Sequence, residues 1–144
     1  MTIQELDYKH ALRKVLNQAE DRFKSAVSKL GIEQEHSGIK VSDLALFPYN
    51  VWTLITPRIK IRKRKNRFGN FLNFDVEMKK GARFAEHFHE DGIESAEVVS
   101  GELVDTSENN KIYKKGDVAH WDKNVNHTPI ANEDTFLHVL FKLD

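Results

Sequence analysis

A chain of 144 residues has room for one domain with a real core and a terminal extension. Its 22 basic and 22 acidic side chains cancel, so net charge argues for neither nucleic acid nor an anionic membrane. Cysteine is absent, which excludes disulfides, thiolate metal sites and thiol catalysis and leaves imidazole and oxygen as metal ligands.

No apolar run approaches the length of a membrane span, and the first residues lack the apolar core of a signal peptide. A soluble, cytoplasmic protein is the expectation, with no membrane partner. Charge is nevertheless segregated along the chain. Seven of the ten residues from Arg58 to Arg67 are Lys or Arg, whereas eight acids and no base lie between Arg83 and Lys111.

The first thirty residues predict a helix. Thr2 and Glu5 have capping-box spacing. Leu12, Leu16, Ala19, Phe23, Ala26 and Leu30 form one apolar stripe. Gly31 is a suitable stop, since glycine takes the left-handed conformation without strain. The stripe can pack on the chain's own barrel or pair with a second copy; fewer than three heptads make a coiled coil marginal alone. Together with the separated charges, it raises the expectation of a homodimer.

Residues 33–47 are irregular, and the segment 1–47 reads as a helix plus connection ahead of a β-domain at 48–144. Val51–Thr56 is β-rich. In the segment from Arg58, Ile59 and Ile61 alternate with Lys60 and Arg62, followed by a hairpin turn at Asn66–Asn70. Leu72, Phe74, Val76 and Met78 alternate with polar residues in the clearest strand. Further strands are predicted at Ala85–His89, Ser95–Val99, Lys111–Tyr113, Val118–Trp121 and Phe136–Lys142, separated by Gly- and Asn-rich turns. Short strands at such intervals after one helix predict an all-β sandwich or barrel.

The basic segment 58–67 has little aromatic interleaving, so nucleic acid is not the expected partner. The plainer reading is a solvated hairpin edge guarded by Lys and Arg. Docking of an acidic turn, Glu90–Glu97, from another subunit is a third reading. His138, in an apolar final strand, is expected in the core or an interface, and His120 partly exposed.

The residues that carry chemistry are histidines. His87 and His89 are two apart on a predicted strand, so both point to one face. Glu94 opens the next strand, and His127 follows a turn at Asp122–Asn126. Three imidazoles and a carboxylate suit a borderline divalent ion: Fe, Mn, Co, Ni or Zn. Glu97, an odd number of residues beyond Glu94, should face the other way.

These positions resemble the cupin superfamily, whose first motif is G-x5-H-x-H-x(3,4)-E-x6-G. Gly81, His87, His89, Glu94 and Gly101 satisfy every fixed position and gap. In the second motif, G-x5-P-x-G-x2-H-x3-N, Gly116 and His127 match, Asp122 replaces the proline, Asn124 replaces the glycine, and the last Asn is displaced by one to Asn132. Asn is the residue that best replaces glycine in a left-handed turn. The resemblance implies a cupin-type double-stranded β-helix (jelly roll) with a divalent transition metal held by His87, His89, Glu94 and His127. It also implies one of two functions: a mononuclear metal enzyme of dioxygenase type acting on a small anionic or oxygen-chelating molecule, or a non-catalytic metal- or ligand-binding sensor.

Overall fold

The computed structural model describes residues 17–18, 20–31, 37–66 and 69–144. Within them the expected N-terminal helix is α1, residues 20–31. Its stripe is used inside the same chain: Ala26 and Leu30 are buried, and Phe23 meets Phe47 edge-on with ring centroids 4.8 Å apart. Leu12, Leu16, Ala19 and the Thr2–Glu5 box lie outside the described residues. Gly31 is still helical, and space accounts for it better than a left-handed turn. A Cβ there would sit 2.4 Å from the Ile55 carbonyl oxygen.

After α1 come β1 (Ser37–Gly38) and a single-turn helix α2 (Val41–Leu44), then β2 (Thr53–Thr56), β3 (Ile59–Arg64) and β4 (Phe71–Met78). The site strands follow: β5 (His87–Phe88), β6 (Gly92–Ser100) and β7 (Glu102–Asp105). A 3-10 turn at Thr106–Glu108 leads to β8 (Lys111–Lys114), β9 (Val118–Trp121), β10 (Pro129–Ala131) and β11 (Thr135–Leu143). The long sheet runs β2-β3-β4-β11-β6-β9, facing a three-stranded sheet β10-β7-β8 and the parallel pair β1-β5. This is the jelly roll expected from the sequence, mostly β with an N-terminal helix.

Alternation built the core. Ile59 and Ile61 of β3, Phe74, Val76 and Met78 of β4, Ala96 and Val98 of β6, and Leu137, Val139 and Phe141 of β11 all point inward and are buried. Apart from Ala96, each of these side chains contributes roughly 1.5–3 kcal/mol relative to exposure. The strand expected at Ala85–His89 is shorter, only His87–Phe88, because its partners are short: two residues of β1 and a single bridge to His127.

The basic segment is not a sheet edge. β3 lies between β2 and β4, and β2 holds the edge. On the outer face Arg62, Asp75, His138 and Glu97 stand in one row across four strands. Asp75, buried on that face, receives Arg62 Nη2 at 2.7 Å and His138 Nδ1 at 2.9 Å. His138 is therefore a half-exposed partner of Asp75, not a core residue, because its parity in β11 is opposite to Leu137 and Val139. Arg62 and Lys60 also cover the Trp52 ring, at 4.5 and 4.8 Å from its centroid. Lys63 turns inward and its Nζ reaches the Ala45 carbonyl; burial lowers its pKa. Among the described residues no helix is long and apolar enough to cross a membrane.

Candidate metal centre

The four residues singled out by spacing meet in one place. His87, His89, Glu94 and His127 are all buried, and one ligand atom from each lies within 4.8 Å of the others. Each comes from a different kind of local constraint. His87 is fixed by backbone, exchanging two hydrogen bonds with His127: His87 N donates to His127 O at 3.1 Å, and His127 N donates to His87 O at 2.9 Å. His89 lies just past β5, where Asn124 N donates to its carbonyl at 2.8 Å. Asn124 has φ of +63°, the left-handed conformation expected of the residue standing in for the motif glycine. Glu94 points inward from β6 beside Ala96, while Glu97 is exposed on the opposite face. Gly101 of the first motif has φ of +91°, and a Cβ there would meet the Asp134 carbonyl oxygen at 2.3 Å.

Ring orientation follows from the Nδ1 atoms. His87 Nδ1 lies 2.6 Å from Ala85 O, His89 Nδ1 2.7 Å from Ile39 O, and His127 Nδ1 3.2 Å from Val125 O. A carbonyl only accepts, so each Nδ1 carries the proton and each neutral ring presents its Nε2 lone pair. That arrangement sets the tautomer of a metal-ligating imidazole. Glu94 Oε1 lies 3.2 Å from His89 Nε2 and 3.4 Å from His127 Nε2, and both of those nitrogens are buried without a hydrogen-bond partner. Lone pairs facing a carboxylate in a buried site repel unless a cation sits among them, either a proton or a metal ion.

The electrostatics agree. Burial, reinforced by the neighbouring His127 and His89, holds His87 well below the ordinary imidazole value. Burial alone would lower His127 as well, but the negative charge of Glu94 beside it raises it. For Glu94 burial works upward, and the contacts with His127 and His89 outweigh it and depress the carboxyl. The donor set, three neutral nitrogens and one anionic oxygen, fits a divalent transition ion.

Around the four residues is a cavity of about 50 Å³, walled by Phe74, Phe84, Leu137 and Phe141 and covered by Leu30 of α1 and Leu44 of α2. By the criterion that a water needs roughly 10–15 Å³ of such space, it admits about three to five waters. Sequence reasoning missed two contributors. Trp121 stacks on the His127 ring, with centroids 4.4 Å apart and planes 15° from parallel. Asp105, fully buried, accepts from Trp121 Nε1 at 3.0 Å and from the Thr128 and Ser107 amides at 2.8 and 3.0 Å. The signal available for Trp121 was its parity in β9; nothing local marked Asp105. His120 is exposed and lies between Ser95 and Asp122, away from the cluster, as expected.

Comparison with known proteins agrees with this geometry. Residues 74–141 match the cupin domain model of the Cupin_2 family. A search of curated proteins found no match. Among solved structures, KdgF from a Halomonas species is similar with a TM-score of 0.60 at 21% identity, covering 68% of this chain and 93% of that one. An RmlC-like cupin from Shewanella frigidimarina gives a TM-score of 0.59 at 19% identity, covering 68% and 90%. An acetylacetone dioxygenase from Acinetobacter johnsonii gives 0.51 at 12% identity, covering 58% and 59%. At these identities the likeness concerns the fold. With the family match, the jelly roll and the buried three-histidine, one-glutamate cluster in hand, residues 74–141 of this chain are a cupin domain.

Proposed function

We propose that this protein is a mononuclear metal enzyme, of dioxygenase type, acting on a small anionic or oxygen-chelating molecule. The observation that carries the reading is the convergence of two orphaned Nε2 atoms, His87 and the Glu94 carboxylate in a buried apolar cavity. His87, His89, His127 and Glu94 would hold a divalent ion of Fe, Mn, Co, Ni or Zn, leaving up to two positions of an octahedral shell open. One carboxylate leaves such a site about +1, which suits an anionic bidentate oxygen ligand such as a diketone enolate or hydroxy acid. When bound, the ion supplies Lewis acidity and, as Fe(II), reactivity toward dioxygen. The chain's own part is to fix the ligand rings through Ala85, Ile39 and Val125, and to exclude water with Leu30, Leu44, Phe84 and Phe141.

The experiment is elemental analysis of the purified protein followed by oxygen-uptake assays with small diketones and hydroxy acids. A His87→Ala, His89→Ala double variant should lose stoichiometric metal after dialysis against chelator; full retention would sink the assignment. A second reading, a metal- or ligand-binding sensor without catalysis, draws on the small size of the cavity and its cover by the N-terminal segment. Metal bound without turnover of any chelating substrate favours it. The expected assembly is a homodimer, supported by the exposed Tyr49, Val51 and Leu54 at and before the edge strand β2. Light scattering at tens of micromolar (roughly where a Kd near 1 μM saturates) should give twice the monomer mass.

A further inference from the structure

The segment from Ser37 to Leu44 lies outside the matched cupin residues, yet it touches the centre at one atom. His89 Nδ1 donates to the carbonyl of Ile39 at 2.7 Å, in a buried environment. His87 and His127 use carbonyls two residues away in their own loops; His89 borrows one from fifty residues earlier. Whatever seats that segment therefore sets the ring of His89.

Asp91 does the seating. Its Oδ1 accepts from Val41 N at 2.6 Å and its Oδ2 from Ser42 N at 3.1 Å, taking up amides at the start of α2. Around this anchor, β1 pairs in parallel with β5, Ile39 N donates to Phe88 O at 2.9 Å, and Val41 is fully buried. Two glycines make the close fit possible. A Cβ at Gly92 would lie 2.9 Å from Val41 Cγ2, and one at Gly38 would lie 3.1 Å from the Phe88 ring. The same segment ends in Leu44, which covers the cavity over the four ligands.

We infer that residues 37–44 form a strap whose docking completes the metal centre, and that Asp91 is a positioning residue that acts on His89 through the strap. This rests on the proposed metal site. Docked, the strap supplies the acceptor that keeps the His89 proton on Nδ1 and its Nε2 directed at Glu94. Undocked, His89 loses its tautomer and orientation, and the cavity loses Leu44. Ring-orienting partners of ligating histidines are typically worth 10–100-fold in metal affinity. By linkage, metal binding must then favour the docked strap by the same factor.

Two measurements test it on the full chain. Hydrogen exchange of the Val41 and Ser42 amides should slow when Zn(II) is added to the wild type. Asp91→Ala, compared with Asp91→Asn, should weaken Zn(II) binding by about tenfold or more while circular dichroism stays that of a folded barrel. Co(II) loaded into Asp91→Ala should show an altered visible spectrum, which a merely less stable protein with an intact site would not. Metal-independent exchange in the wild type overturns the strap even if Asp91→Ala fails to fold. Unchanged affinity and spectrum in a folded Asp91→Ala overturn the role of Asp91. A wild type that binds no divalent metal overturns the site itself, and with it this inference.

Discussion

Glu94 and Glu97 lie three residues apart on one strand, and parity alone separates their fates. Glu94 is buried among three imidazoles and Glu97 stands exposed beside His138 in the outer row. Glu94→Gln keeps most of the shape and removes the charge that offsets a divalent ion. Metal affinity should fall at least about 100-fold, since outer-sphere partners alone are worth roughly 10–100-fold. Glu97→Gln should leave a metal titration unchanged, and a larger loss there would mean that the wrong carboxylate has been assigned. Asp105 is the second residue with a large expected effect. Asp105→Ala would strand the Trp121 indole N–H and the Thr128 and Ser107 amides. Trp121 and Thr128 donate from buried positions, where an unpaired donor costs about 1–3 kcal/mol, so a urea titration should show a loss of about 2 kcal/mol or more. The Trp121–His127 stack would loosen with it, and metal affinity should fall in parallel. Unchanged stability would mean that water reaches these groups.

At the scale of elements, what was legible was what has a period. β4, β9 and β11 follow from alternation, and the motif spacing picked out the four residues that meet in the buried cluster, because those gaps reflect strand parity and turn lengths that a sequence carries directly. β1, α2 and β10 have two to four residues each, too few for any period to register. They exist because tertiary partners hold them: β1 on β5, α2 on Asp91, β10 on β7. The basic segment misled for the opposite reason. Its alternation was right, but whether a strand is an edge depends on a neighbour, and β2 with Trp52 covers β3. The helix finds its place through aromatic contacts that no local pattern predicts: Phe23 on Phe47, Phe47 on Phe74, Phe74 on Phe141, and Phe141 on His89. Phe47 is the fully buried joint of that series. Phe47→Ala should cost about 3–5 kcal/mol, read by denaturant midpoint at constant slope. A loss under about 1 kcal/mol would mean that α1 adds little to the barrel.

Across the whole molecule the buried cluster ties stability to pH, with opposite signs for two histidines. His87, held below its ordinary 6.5 chiefly by burial, stays neutral when the unfolded chain takes up a proton, so stability falls as pH drops below about 6.5. His127, raised by Glu94 against the pull of burial, binds a proton more tightly when folded. Its contribution is complete below 6.5 and is lost as pH rises through the raised value. Glu94, depressed by the same contacts, adds stability that disappears only in strong acid. The metal-free protein should therefore melt highest near pH 6.5 and soften toward alkaline pH. A metal ion held by these residues would reverse the alkaline limb. It would displace the proton that His127 and Glu94 share, so its affinity would grow as that proton becomes easier to remove, and bound metal stabilises only the folded state. The gap in Tm between metal-loaded and chelator-treated protein should widen from about pH 6 to about pH 8. Scanning calorimetry across that range measures it. A gap that narrows as pH rises would show that the His127 Nε2 keeps its proton in the loaded protein, and so is not a ligand.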